Sequence, residues 1–197
     1  MKNFSSYFDC GMTFPDYFQM LEQLMAENKT TGNDHSSEML NYAKLNLQRM
    51  KRVDKTFHIL PELEAVLSGI NVHQKWLIIT EGWCGDAAQI VPLLHQIATH
   101  SEGKIALRLV LRDEHLDLID QFLTNGGRAI PMLLILDNEG NLLANWGPRP
   151  KEAQDFVMEM KHKNVPKEDW IVEIHKWYAQ NKGVEVQKEI AERLSFV

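Results

Sequence analysis

Cysteine is scarce: Cys10 and Cys84 are the only two in 197 residues. So small a supply cannot build a disulfide scaffold, and each thiol needs its own explanation. Long apolar runs are missing too. The longest near a strand, Ala129 to Leu136, is about half of the roughly 20 residues needed to cross a bilayer, so no transmembrane helix and no membrane partner is expected. The opening Lys2-Asn3-Phe4-Ser5-Ser6-Tyr7-Phe8-Asp9 lacks the apolar core and small-residue cleavage site of a secretory signal, which makes the cytoplasm the expected compartment. Basic charge is in deficit. The 21 Lys and Arg residues face 27 Asp and Glu, a formal charge of −6, which is the wrong sign for a chain that neutralises nucleic-acid phosphates. Metal-binding spacing is absent as well: the eight histidines form no H-E-x-x-H motif, and His95 and His100 fall off a common helical face. No metal and no cofactor is expected.

The sequence does contain enough apolar residues, 44% against 24% charged, to exclude disorder and to fill the core of one domain with a decorated terminus. Thr13-Phe14-Pro15-Asp16 reads as a helix start, and the spacing of Tyr17, Phe18, Leu21, Leu24 and Met25 carries a helix to about Asn28. Met39, Leu40, Ala43, Leu47 and Met50 predict a second helix ending near Val53, and Pro61 to Gly69 a short third. Residues 1–70 therefore read as an all-helical extension. From Lys75 the period changes: Lys75–Thr80 is a buried-strand pattern, Cys84–His100 a helix, Lys104–Leu111 a second strand, and Leu116 to Leu123 a short helix. Strand and helix in alternation imply parallel pairing with a helical crossover. Met132–Leu136, a turn at Asp137–Gly140 and Asn141–Trp146 then read as an antiparallel hairpin, and at least two helices follow, broken near Asn164-Val165-Pro166. No internal repeat is present. The basic cluster Arg49, Lys51, Arg52 and Lys55 reads as a solvated helix end.

The segment Thr80-Glu81-Gly82-Trp83-Cys84-Gly85-Asp86-Ala87 places a thiol after a buried strand and at a helix start. Unpaired backbone N–H groups there favour thiolate over thiol. A thiol pKa of ~8.5 leaves about 3% thiolate at pH 7, and a pKa near ~7 leaves about half. Asp86 opposes the shift by charge repulsion, and the sequence does not fix the balance.

This W-C-G-D-A run after a strand, the Arg128-Ala129-Ile130-Pro131 run that follows it, and the β-α-β-α-β-β-α order resemble the thioredoxin-like family over about residues 70–165. The segments LRDEHLDLIDQFLTNGGRAIP and NWGPRP are similar to a bacterial branch carrying C-G-D-C or C-G-D-A. The resemblance implies an α/β thioredoxin-like fold, a central mixed sheet flanked by helices, in residues 71–197 with extended C-terminal helices. It implies that Cys84 is the attacking cysteine, that Trp83 is the aromatic flanking it, and that a cis Pro131 presents the backbone of Ile130 to an extended substrate beside Gly85 and Asp86. The chain departs from the family at Ala87, which stands where C-x-x-C has its second cysteine. A local disulfide cannot form, and ordinary dithiol turnover is excluded unless Cys10 reaches Cys84.

The expected function is monothiol exchange: Cys84 attacks a protein or small disulfide, and an external low-molecular-weight thiol resolves it. Arg128 is the candidate cation for an anionic small thiol. The alternative is a non-catalytic module that captures a protein segment near Trp83, Ile130 and Pro131, so enzymatic status stays open. Cluster binding through Cys84 across a dimer needs ligands that the sequence does not supply. Blander readings stand beside these. Cys84 could be inert, Cys10 a core filler, Trp83 loop packing and Asp86 a helix cap. Glu81 could be a buried acid tuning the thiol, and Arg112-Asp113-Glu114 either a ligand edge or a surface ion-pair set.

Overall fold

The computed structural model of the chain describes residues 2–196. Four helices come first: α1 (Ser5–Cys10), α2 (Phe14–Ala26), α3 (Ser37–Thr56) and α4 (Pro61–Gly69). Thr13 caps α2 by accepting from the Asp16 amide, and Ser36 caps α3 by accepting from Met39. α3 runs one turn beyond the expected Val53. α1 has no counterpart in the periodicity, because six residues are too few to show a helical stripe.

β1 (Gln74–Thr80), α5 (Ala87–His100), β2 (Ile105–Leu111), a 3-10 turn at Arg112–Glu114 and α6 (Leu116–Ile119) follow. β3 (Met132–Leu136) and β4 (Leu142–Trp146) make the hairpin, and α7 (Lys151–His162), α8 (Lys167–Asn181) and α9 (Val184–Leu194) close the chain. The helix expected through Leu123 stops at Ile119. A third closing helix forms because Lys182 and Gly183 take left-handed backbone and reverse the chain after α8.

The sheet has strand order β2-β1-β3-β4. β1 pairs parallel with β2 and antiparallel with β3, which pairs antiparallel with β4. The centre of the sheet is covered on both faces, so Trp76, Leu77, Ile78 and Ile79 of β1 and all of β3 are buried. Each such side chain contributes about 2 kcal/mol of burial. α5 packs between sheet and α3 and buries residues on every side, including Pro92 inside the helix. The N-terminal segment covers both sheet edges. Met12 bridges Leu109 on β2, and Asn3 bridges Asn141 at the start of β4, which blunts edges that would otherwise template aggregation.

Candidate functional site

The site is built where β1 ends. Thr80 and Glu81 are still in the core, and the turn that follows is clamped by the helical extension: the Gly82 amide donates to Thr31 Oγ1 (2.9 Å), and its carbonyl accepts from Asn46 Nδ2 (3.0 Å). A Cβ on Gly82 would lie 2.5 Å from Leu21 Cδ2, so any larger residue would have to displace that buried leucine of α2. Cys84 sits three residues before α5 rather than in its first turn. Its carbonyl accepts the Ala88 amide (3.1 Å), and its Sγ accepts the Ala87 amide at 3.5 Å. The sulfur thus occupies the capping place considered for Asp86, whose side chain makes no cap.

The thiol also donates to the carbonyl of Ile130 at 3.4 Å, and the Ile130–Pro131 bond is cis. That contact requires the protonated form. Cys84 is 8% exposed, and burial followed by the negative charge of Asp86 pushes its thiol up to about 12. The Ala87 and Asp86 amides act in the direction expected of a helix start, and Arg149 assists them, but burial outweighs all three. An activated thiolate open to solvent is therefore not what the fold provides. The sequence displayed the helix N-terminus but not what covers it.

The cover is α8. Trp170, Ile171, Ile174 and His175 share with Cys84 the walls of a cavity of about 220 Å³. Gly85 lies directly under this helix, since a Cβ there would be 2.8 Å from His175 Cε1. α8 is fastened by Asp86. Tyr178 donates its hydroxyl hydrogen to Asp86 Oδ1 (2.8 Å), and Arg149 Nη2 donates to Asp86 Oδ2 (2.5 Å). The Asp86 and Arg149 side chains are only 13% and 17% exposed. Burial works to lower the Arg149 pKa, and the adjacent carboxylate outweighs it, so the guanidinium holds its proton more firmly than usual. The turn carrying Arg149 presses on the cis-proline loop: Gly147 has φ 134°, and a Cβ there would meet Pro131 O at 2.4 Å. C-G-D-A and NWGPRP are thus two halves of one contact.

The remaining expected residues fall as follows. Trp83 is half-buried with the Arg112 guanidinium 4.8 Å from its ring centroid. Ile130 and Pro131 are buried beside the sulfur. Arg128 reaches the cavity wall but is held by Asp120 in a two-pronged ion pair at 2.6 and 2.8 Å, which occupies the cation expected to hold an anion. Arg112 pairs with Asp113. Glu81 is 1% exposed, and burial pushes its carboxyl up, yet it accepts from the Asp113 amide and is not among the groups that shift Cys84. Cys10 is an exposed free thiol.

The sequence reading missed Arg49, Arg149, His175 and Tyr178. Arg49 belongs to the cluster read as solvated, but it is half-buried, and its Nη1 would lie 3.7 Å from a Cβ on Gly85. Burial pushes its pKa down. Among the described residues no group of His, Cys, Asp and Glu could hold a metal ion, and no helix is long and apolar enough to cross a membrane.

Two solved structures share this architecture. A protein of unknown function from Pseudomonas aeruginosa has a TM-score of 0.64 at 19% identity, covering 100% of this chain and 97% of the other. An HIV epitope-scaffold has a TM-score of 0.65 at 17% identity, covering 100% of this chain and 99% of the scaffold. These likenesses bear on the fold alone. A thioredoxin family model (Thioredoxin_9) matches residues 32–161, from the extension before α3 into α7. With most of its length inside that match, and with a mixed sheet flanked by helices as its core, the chain belongs to the thioredoxin-like family.

Proposed function

We propose that this thioredoxin-like domain is a non-catalytic binding module that holds a small molecule in the Cys84 cavity and does not turn over disulfides. The reading rests on one observation, a buried thiol that donates to Ile130 O, and burial pushes that thiol up to about 12. The other cysteine is exposed and unpaired, so no partner thiol stands ready to complete a cycle. An extended peptide is a poor occupant. Trp170, Ile171 and Ile174 of α8 share the cavity wall with Ile130, and the 220 Å³ between them is below the roughly 300–1,000 Å³ of drug-sized sites.

The test is reaction with a neutral aromatic disulfide in a Cys10→Ser background, followed by intact mass. At pH 7 a pKa of about 12 leaves about one thiolate in 10⁵, against about three in 100 for an ordinary thiol. Higher basicity recovers about 40-fold in nucleophilicity. Cys84 should therefore react about a hundredfold more slowly than free cysteine, before any obstruction by α8. Reaction at the rate of free cysteine, together with disulfide reductase activity that Cys84→Ala abolishes, refutes the proposal.

A second reading is monothiol exchange with a low-molecular-weight disulfide, resolved by an external thiol. It is favoured by the position of Sγ beside the cis Pro131 at the wall of an accessible cavity. It predicts a mixed disulfide on Cys84 that forms readily and is released by a small thiol.

A further inference from the structure

α8 covers the thiol by a narrow attachment. Its buried side chains form one stripe, Trp170, Ile174 and Tyr178, at every fourth position, while Val172 on its outer side is 65% exposed. Among the described residues, the helix makes one side-chain hydrogen bond beyond itself and its flanking turns, from the Tyr178 hydroxyl to Asp86 at 2.8 Å. Trp170 Nε1 donates to Val165 O in the turn before the helix, and Lys176 pairs with Glu173 on the same helix. Both connections pass through left-handed backbone, at Asn164 (φ 54°) before α8 and at Lys182 and Gly183 (φ 54° and 82°) after it. Element-terminal positions of this kind are where a hinged segment absorbs its rotation.

The seat beneath the helix is incompletely satisfied. Arg149 Nε and His175 Nδ1 are buried without a hydrogen-bond partner. Neither nitrogen is open to water while α8 is seated, so each stays desolvated at a cost that lifting the helix would relieve. His175 carries a charge conflict as well. A Cβ on Gly85 would stand 3.1 Å from its Nε2 and 3.7 Å from Nη1 of Arg49 on α3, so imidazole and guanidinium meet over the same glycine. Arg52 of α3 and Lys167 of α8 add positive charge around the ring, and Asp86 opposes them with a carboxylate already shared between Arg149 and Tyr178. Burial and Arg49 push His175 down to about 4, so it is neutral at pH 7. A proton taken up in the seat would set a second cation against Arg49, whereas a lifted helix returns the ring to water.

We infer that α8 is a proton-sensitive lid over Cys84, which swings locally about Asn164 and Lys182–Gly183, is held shut by the Tyr178–Asp86 bond, and is released when His175 is protonated beside Arg49. What passes the lid rests on the binding reading above, as the small molecule held in the Cys84 cavity. With the ring at about 4 when seated and 6.5 in water, the contribution of neutral His175 to closure is complete above about pH 6.5 and is lost as pH falls toward 4.

The experiment reads opening at two places in the full chain carrying Cys10→Ser. Deuterium exchange of peptides from α8, β1 and β3, corrected for intrinsic rates, is measured beside the reaction of Cys84 with 4,4′-dithiodipyridine between pH 7 and pH 5, in this protein and in Tyr178→Phe and His175→Gln. α8 amides should exchange at least tenfold faster than those of β1 and β3, through an opening that low denaturant barely changes. Tyr178→Phe should raise α8 exchange and Cys84 reaction together by about tenfold, the loss of one charge-assisted hydrogen bond, and leave β1 exchange unmoved. From pH 7 to pH 5 the corrected α8 exchange should rise by about tenfold, a figure discounted for the partial exposure of the imidazole, and the rise should vanish in His175→Gln. That variant stays neutral at every pH and carries the test if Tyr178→Phe is too unstable to compare. α8 exchange that occurs only together with β1 in a denaturant-sensitive transition, or a pH response that survives His175→Gln, overturns the lid. Either result leaves the binding reading standing, which falls instead if Cys84 reacts at pH 7 at the rate of free cysteine and supports disulfide reductase activity.

Discussion

Replacing Asp86 by Asn tests the latch that holds α8 over the thiol. In the protein Asp86 serves two buried partners, Arg149 at 2.5 Å and Tyr178 at 2.8 Å. The amide keeps the shape and loses the charge, which leaves the Arg149 guanidinium, 17% exposed, without a counter-ion. Breaking one side of such a pair costs about 3 kcal/mol or more. In a chain of this length that lowers the melting temperature by about 6–12 °C. Tyr178→Phe removes one charge-assisted hydrogen bond and should cost about 1.5 kcal/mol. Because both changes act on the same carboxylate, the double variant should lose about 0.5–1 kcal/mol less than the two single losses combined. The latch also has a chemical consequence. Asp86 is the largest charge that raises the Cys84 pKa, so its removal should speed the reaction of Cys84 with a neutral disulfide in a Cys10→Ser background. Denaturant melts and intact-mass kinetics on the four proteins measure both effects. An Asp86→Asn protein within about 0.5 kcal/mol of wild type, with Cys84 no faster, would refute the latch.

Three further outcomes follow from the same geometry. Gly85→Ala places a Cβ 2.8 Å from His175 Cε1, so it should cost about 1–3 kcal/mol by overpacking and make Cys84 easier to label, as seen by melting and by mass. Gly147→Ala meets Pro131 O at 2.4 Å with φ at 134°, and backbone against backbone cannot relax, so this variant should be less stable than Gly85→Ala in the same melt. His175 has a folded pKa of about 4 against 6.5 unfolded. The unfolded chain therefore binds more protons in that window, and the stability tied to neutral His175 is present above about pH 6.5 and lost as pH falls toward 4. Partial exposure limits it to about 2 kcal/mol. Glu81, whose raised pKa lets the folded state keep its proton longer, adds stability in acid that is lost as pH rises. The difference between wild type and His175→Gln across this range isolates the histidine.

Much of the fold could be read from periodicity because the elements are long and locally consistent. β1 and β3 read as buried strands since both faces are covered, and Pro61 and Thr13 mark helix starts where the capping geometry indeed begins helices. α1 escaped notice because it is a single short turn stabilised by packing of Phe4 and Phe8 against the sheet, not by its own pattern. At the site, the sequence supplied the thiol, the proline and the conflict between helix amides and Asp86. It could not supply the outcome, because the dominant effect, burial of the sulfur, depends on how distant segments pack around it: Ile130 accepts from the thiol, and Trp170 and Ile174, more than eighty residues downstream, wall the cavity beside it. Both lie in the closing helices, whose period says nothing of which part of the sheet they face. Arg128 failed as the free cation for a related reason: Asp120 lies one helix-end away in space, a pairing that spacing alone does not reveal. Arg49 looked solvated because its neighbours Lys51 and Lys55 are, while its own turn of α3 points inward.

The protonation state of one sulfur decides whether this domain binds or exchanges disulfides. The direct measurement is the ultraviolet thiolate absorbance of Cys10→Ser, titrated from acid to alkali and corrected by a Cys10→Ser, Cys84→Ala control. A buried thiol should give a flat difference through neutral and mildly alkaline pH, with a rise only as the titration approaches about 12. A thiolate step with its midpoint at or below the ordinary value of about 8.5 would contradict it and return Cys84 to the role of an active nucleophile.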